Sequence, residues 1–227
     1  MRFNSDQIQK IGKEISSKVD GKTLFDEFSR GRYSTDASVY QIKPLGVVLP
    51  KDTNDVLSLM EYSQKNSVPL LARGGGSSQC GQTVGESVVL DYSKHQNKIL
   101  ELNVEEKYVW VQPGVVLDHL NAYLKPHGLW FPVDVSTSSR ATIGGMSANN
   151  SCGSRSLYYG NMVHNVLAIE AILDDGSIFN FDQINKNYLA TKNNQDRFYK
   201  IIDKFIDVRQ QVGGEIDANW PTTQRRV

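Results

Sequence analysis

The sequence predicts an α+β fold of two lobes, a small βαβ lobe followed by a larger, mostly antiparallel sheet flanked by helices. Three observations predict it. Gly46 to Leu49 and Val68 to Ala72 are apolar runs of strand length, and a helical pattern lies between them. The second run breaks into Arg73-Gly74-Gly75-Gly76-Ser77-Ser78, and a third apolar run, Val88 to Asp91, comes next. Beyond residue 94 apolar runs alternate with polar turns, as they do in hairpins. The expected divisions are an N-terminal helical segment over 1–40, the first lobe over 41–93, the second over 94–214, and a connection over 215–227.

Composition excludes several classes. Twenty-five basic residues balance 25 acidic ones, so no basic stripe argues for nucleic acid. The first twenty residues are polar and lack the apolar stretch of a secretory signal. No apolar run approaches the ~20 residues that a membrane span needs. Two cysteines, Cys80 and Cys152, make no disulfide framework, and a cytoplasmic location is expected. A Cys80–Cys152 bridge is one alternative for them; burial as small hydrophobes is the commoner one.

Taken in order, Ile8, Ile11 and Ile15 recur at helical spacing over 5–18, with Ser5 or Asp6 as the N-cap. Leu24, Phe25 and Phe28 extend a short amphipathic segment that covers one edge of the first lobe, and 31–38 is polar and turn-rich. The Gly46–Leu49 strand closes at Pro50, and Asp52 or Thr53 caps a helix through Gln64. Strand, helix and strand make a βαβ unit with a right-handed crossover. The glycines then sit at the carboxyl end of a parallel strand, where open α/β sheets hold ligands. Residues 98–103 and 107–112 form a hairpin that ends at Pro113-Gly114. A helix runs from Val116 to Leu124, with Gly128 closing it and His127 beside its dipole. His164 to Leu173 reads as a long strand, turning at Asp174-Asp175-Gly176 into Ile178–Phe181. Amphipathic helices are expected over 184–192 and 197–212, and the tail from Glu215 shows no periodicity.

The chemistry concentrates in two stretches. In the first, Gly74, Gly75 and Gly76 let backbone approach a ligand, and successive N–H groups in such a turn suit an anion. Ser77 and Ser78 add hydroxyl donors, and Arg73 adds a positive charge at the mouth. Gly76 to Thr83 matches a nucleoside-triphosphatase loop except that Gln82 replaces its lysine, and a strand comes where a helix should. Gly74 and Gly76 begin a dinucleotide fingerprint, but Gln79 occupies the third glycine position. Both motifs are therefore rejected, leaving a phosphate cradle or a plain surface turn.

The second stretch runs from Phe131 to Gly153. Thr142 reads as an N-cap, which makes Gly144 and Gly145 first-turn positions with free N–H groups and a charge of roughly +0.5. Asn149 and Asn150 both donate and accept, which suits a heterocycle edge. No catalytic triad is visible, no His/Cys cluster has metal spacing, and His95, His119, His127 and His164 are scattered. A cofactor would have to carry the chemistry.

Pro69 to Asp91, Pro113-Gly114, Ala141-Thr142-Ile143-Gly144-Gly145, Asn149-Asn150, Tyr159-Gly160, Val166 and Asp175-Gly176 occur in a characteristic order. In this the chain resembles the FAD-binding domain of p-cresol methylhydroxylase-type flavoproteins, over about residues 33 to 227. Tyr33-Ser34-Thr35-Asp36, Arg73 to Gly76, Ser136-Thr137-Ser138 and Arg225-Arg226-Val227 make it most similar to FAD-linked D-2-hydroxy-acid dehydrogenases, including large members with iron–sulfur modules. The resemblance implies that Gly74 to Ser78 hold the FAD pyrophosphate. It implies that Gln82, Pro132, Asp134 and Ser138 line the ribityl and pyrophosphate region. Thr142, Gly144, Gly145, Asn149 and Ser151 would contact phosphate and flavin, with Gly160 and Val166 against the cofactor. Relatives that attach flavin covalently use a histidine or a cysteine where this chain has Ser77 and Arg140, so the FAD is expected to be non-covalent. A substrate domain carrying the catalytic residues would begin near Arg225, making the chain a fragment. The implied substrate is a small 2-hydroxy acid; the alternatives are an FAD-dependent sugar-acid or alcohol oxidase domain, which shares the fold, and a non-redox nucleotide-binding module that lost the flavin. The implied electron acceptor is an iron–sulfur module or a membrane quinone chain, the latter placing a cytoplasmic protein at the membrane surface.

Overall fold

The computed structural model describes residues 3–182 and 197–221. Helix α1 spans Ser5–Ser16 and buries Ile8, Ile11 and Ile15. Its N-cap is Asn4 rather than Ser5 or Asp6, because a reciprocal pair decides the start. Asn4 Oδ1 accepts from Gln7 N at 2.9 Å, and Gln7 Oε1 accepts from Asn4 N at 2.8 Å. Leu24 lies in a strand rather than a helix: β1 (Lys22–Leu24) pairs antiparallel with β2 (Gly46–Leu49). The next ring, Phe25, fills the space over Gly12 and Gly46. A short helix, α2 (Glu27–Arg32), is capped by Asp26. The N-terminal segment thus covers the sheet edge by joining it.

Helix α3 (Thr53–Asn66), capped by Asp52, leads to β3 (Leu70–Arg73), and β4 (Val88–Asp91) completes a sheet of order β1-β2-β4-β3. β4 slots between β2 and β3, parallel to both. The glycine loop therefore leaves the carboxyl end of β3 and must return the length of the sheet to enter β4. β4 is buried along its whole length, and α1, α3 and the sheet share one apolar core.

Among the described residues, antiparallel pairing in the second lobe makes two separate ribbons. One is β5 (Ile99–Asn103) with β6 (Tyr108–Val111), the other β7 (Ile169–Ile172) with β8 (Ile178–Phe181). Helix α4 (Leu117–Leu124) continues as a 3₁₀ turn to His127 and closes at Gly128, whose φ of 69° is left-handed. Then come α5 (Ile143–Ala148), α6 (Ser156–Tyr159) and α7 (Met162–Asn165). The long strand expected from His164 is shortened because His164 and Asn165 finish α7. Asn161 N donates to His164 Nδ1 at 3.0 Å, and Asn165 Nδ2 donates to the Tyr159 and Asn161 carbonyls. The final helix, α8 (Arg197–Asn219), runs past Glu215 into the tail that lacked periodicity. An Arg209–Asp217 ion pair at 2.9 Å braces it across Gly213 and Gly214. The helix expected over 184–192 and the terminal Arg225-Arg226-Val227 lie outside the described residues.

Among the described residues, two small cores organise this lobe. Leu117, Val133, Ala141, Met146 and Met162 form one; Val115, Leu120 and Leu124 form the other against the β5–β6 ribbon. Phe131 and Ile143 pack on both, so the entry to α5 is held from two sides. Phe198 of α8 stacks on Phe179 of β8, while Ile172 of β7 reaches the first lobe's core.

Asp55 ties the N-terminal strand to α3. It is 4% exposed, and its carboxylate accepts from Asp20 N at 2.7 Å, Gly21 N at 2.9 Å and Lys51 N at 2.7 Å. Removing the acceptor strands three backbone donors, each costing ~1–3 kcal/mol when buried. Asp55→Ala is expected to destabilise the chain by about 3 kcal/mol, read as a lower urea midpoint at unchanged slope. A loss under ~1 kcal/mol would show that water replaces the carboxylate freely.

Candidate cofactor site

The loop from Gly74 to Ser87 forms one wall. Among the described residues, none supplies an acceptor for the main-chain N–H groups of Gly74, Gly75, Gly76, Ser77 or Ser78. Gly75 is exposed, but Gly74, Gly76, Ser77 and Ser78 are half-buried, and half-buried N–H groups are normally paired. Gly76, at φ 61°, and Gly81, at φ 77°, bend the chain so that it holds this course. Further along, Ser78 Oγ pairs with Gln82 Oε1 at 2.8 Å and accepts from Cys80 N at 3.3 Å.

The second stretch stands directly against this loop. A Cβ at Gly74 would overlap Thr142 Oγ1, and one at Gly75 would overlap the Arg140 carbonyl. Gln82 Nε2 donates to Asn149 Oδ1 at 2.6 Å, and Asn149 Nδ2 donates to the Gly145 carbonyl at 3.2 Å. The two glycine-and-hydroxyl stretches are therefore one site. Thr142 is its hinge pin: 3% exposed, bridged to Val116, and capping α5 through Gly145 N at 3.4 Å.

Two expected roles change. The first-turn N–H groups of α5 are not free. Ile143 N donates to the Val115 carbonyl and Gly144 N to the Pro113 carbonyl, at 2.8 and 2.9 Å, while Gly145 N faces the Thr142 hydroxyl. Packing against the Pro113–Leu117 segment uses the donors that an isolated helix start would offer. Arg73 is likewise not a free charge at the mouth. Its guanidinium donates to the carbonyls of Thr35 at 2.8 Å, Thr83 at 3.2 Å and Tyr33 at 3.4 Å, beneath Gly76 and 5.3 Å from the Tyr33 ring centre. Unpaired carbonyls of the surrounding turns outcompete water for it.

The remaining candidates surround α5. Val133, next to Pro132, packs with Met146 and Met162, and Val166 lies against the same cluster. Asp134 accepts from Ser154 Oγ at 2.6 Å and Arg155 N at 3.0 Å. Partial burial pushes its carboxyl up, but the bonds from Ser154 and Arg155 outweigh this and hold it below the usual range. The Ser138 carbonyl receives Asp118 N, and the Ser151 carbonyl receives Met162 N. Gly160, at φ 78°, lies on the His164 ring. Asn150 holds a left-handed φ of 44° and accepts from Val163 N at 2.9 Å. An aromatic cluster not anticipated adjoins Gly160. Arg155 lies 5.0 Å over the Trp130 ring, and Tyr159 meets Trp130 edge-on at 5.2 Å. Both cysteines are free, and Cys80 is exposed rather than packed as a small hydrophobe, since it rides the loop's outer bend.

Such a site can hold an anion in a backbone nest, with an amide-rich edge beside it. No group of His, Cys, Asp and Glu among the described residues could hold a metal ion. No helix among them is long and apolar enough to cross a membrane. The groove between α1 and α3 is of another kind: its Tyr62 already pairs with Glu14 at 2.7 Å and its Lys65 with Glu61.

The chain is similar to known proteins. D-2-hydroxyglutarate dehydrogenase of Haemophilus influenzae is 42% identical over 155 residues, covering 67% of this chain and 15% of that protein. Glycolate oxidase subunit GlcD of Bacillus subtilis is 37% identical over 176 residues, 75% of this chain and 37% of its own length. This chain thus spans only a minor part of the relatives that it matches. Among solved structures, p-cresol methylhydroxylase superposes with a TM-score of 0.62 at 18% identity, over 78% of this chain and 36% of that one. The profile of the FAD binding domain family matches residues 44–182, more than half the chain, and takes in both walls of the site. The chain belongs to the FAD binding domain family, with the fold of the p-cresol methylhydroxylase-type flavoproteins.

Proposed function

We propose that this chain holds FAD without a covalent bond and serves an oxidoreductase that oxidises a CH–OH donor, a D-2-hydroxy acid, and passes the electrons to another acceptor. The observation that carries the reading is the row of five main-chain N–H groups, Gly74 to Ser78, without acceptors among the described residues. A pyrophosphate supplies anionic acceptors for such a row, and the close approach of Arg140 and Thr142 fixes its height. Bound FAD supplies a two-electron acceptor for the hydride equivalent of the alcohol carbon. The chain's own part is to bind and orient. The loop amides take the diphosphate, the Gln82–Asn149 pair closes the edge beside it, and Asp134, kept ionised, holds Ser154 and Arg155 in place.

The substrate class rests on the relatives, two of which are a D-2-hydroxyglutarate dehydrogenase and a glycolate oxidase subunit. Their greater length supports catalytic groups and an iron–sulfur or quinone acceptor outside this chain. The same reading places the protein in the cytoplasm, at the membrane surface where quinone is the acceptor. Ser77 and Arg140 offer neither an imidazole nor a thiol for attachment.

Two outcomes check this reading. Acid precipitation of the FAD-loaded chain is expected to release all the yellow colour, and FAD should bind at least about tenfold more tightly than FMN, which lacks the diphosphate. Saturation at ~100 times the dissociation constant should stabilise the fold by ~2.7 kcal/mol. Flavin kept in the pellet, or FMN binding equally well, would count against it. Gly75→Val tests the cradle itself. The new side chain must displace the Arg140 carbonyl, so FAD affinity is expected to fall by about 100-fold or more while far-UV circular dichroism holds. Retention of affinity within about threefold would refute the backbone cradle.

A further inference from the structure

We propose that residues 33–41 form a clasp that presets the glycine loop for FAD, with Asp36 and Thr83 as positioning residues acting through the loop. The proposal rests on the FAD reading of the same site. The clasp lies upstream of the family match, which begins at residue 44.

Its contacts are selective. Thr83 Oγ1 donates to Asp36 Oδ2 at 2.8 Å, and Ala37 N donates to the Gly76 carbonyl at 3.2 Å. Arg73 reaches from the last residue of β3 to the carbonyls of Tyr33, Thr35 and Thr83, joining clasp and loop through one guanidinium. The Tyr40 ring fills the space over Gly81. On the loop itself these interactions use a carbonyl, a side chain or a glycine face. None uses the N–H groups of Gly74 to Ser78, so the loop is gripped from behind while its amides stay available. The clasp is itself anchored. Asp36 Oδ1 accepts from Ser38 N at 2.8 Å, Thr35 bridges Gln41, and Ile42 N donates to the Ser34 carbonyl. Tyr33 Oη donates at 2.6 Å to Asp91, a 4% exposed carboxylate at the end of β4.

The consequence is energetic. A fourteen-residue connection without helix or strand would otherwise have to be ordered by the ligand, weakening binding by that entropy. Here folding orders it first, through a charge-assisted bond and shared carbonyls.

The test uses the whole 227-residue chain. FAD dissociation constants come from flavin-fluorescence titration, and amide hydrogen exchange is followed without FAD. Thr83→Val, which keeps shape but loses the hydroxyl, and Asp36→Ala are each expected to raise the dissociation constant about tenfold. Thr83→Ser should restore affinity to within about threefold, and the double variant should bind no worse than the weaker single one, because the Thr83–Asp36 bond is lost in both. In the FAD-free chain, the bonded amides at the clasp and loop, Ala37, Cys80 and Val84, should exchange faster in both variants while β2 and β4 stay protected. Affinities within about twofold of the parent in both variants would overturn the proposal, as would losses that multiply in the double variant. Should Asp36→Ala loosen β4 as well, Asp36→Asn should show the change confined to the loop; loosening of the sheet in every variant would make Asp36 merely structural and overturn the proposal. If the parent chain binds no FAD, the functional reading fails, and exchange alone then decides: unchanged exchange at Ala37, Cys80 and Val84 overturns the clasp.

Discussion

The backbone of Gly74 and Gly75 lies against Arg140 and Thr142 with no room for a side chain, and the site depends on that contact. It is where the two lobes meet in chemistry rather than only in space. On one side the loop is the exit of β3 from a buried parallel sheet. On the other, Thr142 begins α5, bridges Val116 and adjoins Ile143, which packs on both cores of the second lobe. A Cβ on Gly74 or Gly75 would force the loop away from Thr142 or Arg140. Close-packed interiors transmit such shifts instead of absorbing them.

The contact also divides hydrogen-bonding labour. Helix α5 looks like an anion site when taken alone, but its first N–H groups close the joint with Pro113 and Val115. The glycine loop keeps its amides free because its carbonyls and side chains satisfy the neighbours instead. Gly76 and Thr83 carbonyls accept from Ala37 and Arg73, and Thr83 donates to Asp36. Arg73 obeys the same logic. An arginine in a phosphate loop suggests a charge for the ligand, yet a planar group with five donors is also well suited to pin several turns together. Here three carbonyls claim it, and the attraction for a diphosphate falls to the backbone dipoles.

Much of the fold was legible because periodic patterns are local. The strand at Gly46, the helix capped by Asp52, the hairpin from residue 98 and the Thr142 cap all come from spacing and cap chemistry. The errors fall where side chains compete for backbone. Asn4 wins the first cap through Gln7, which shows only as a four-residue reciprocal pair. Lys22 to Leu24 becomes a strand because β2 offers an unpaired edge, and edges are not written in the segment that joins them. His164 and Asn165 leave the apolar run because their side chains bond back into a turn.

Sequence by itself determined which residue types were available for the site: a run of glycines and hydroxyl residues after a parallel strand, and a second such run beyond residue 131. It also determined their local geometry, since glycine and the caps act within a few residues. Only the tertiary structure decided that the two runs touch, that Gln82 meets Asn149, and that the α5 amides are taken while the loop amides are free. The physical reason is that a donor's freedom depends on which carbonyls the fold brings within 3 Å or so. Those carbonyls come from residues about 30 to 70 positions away, beyond the reach of any periodic pattern.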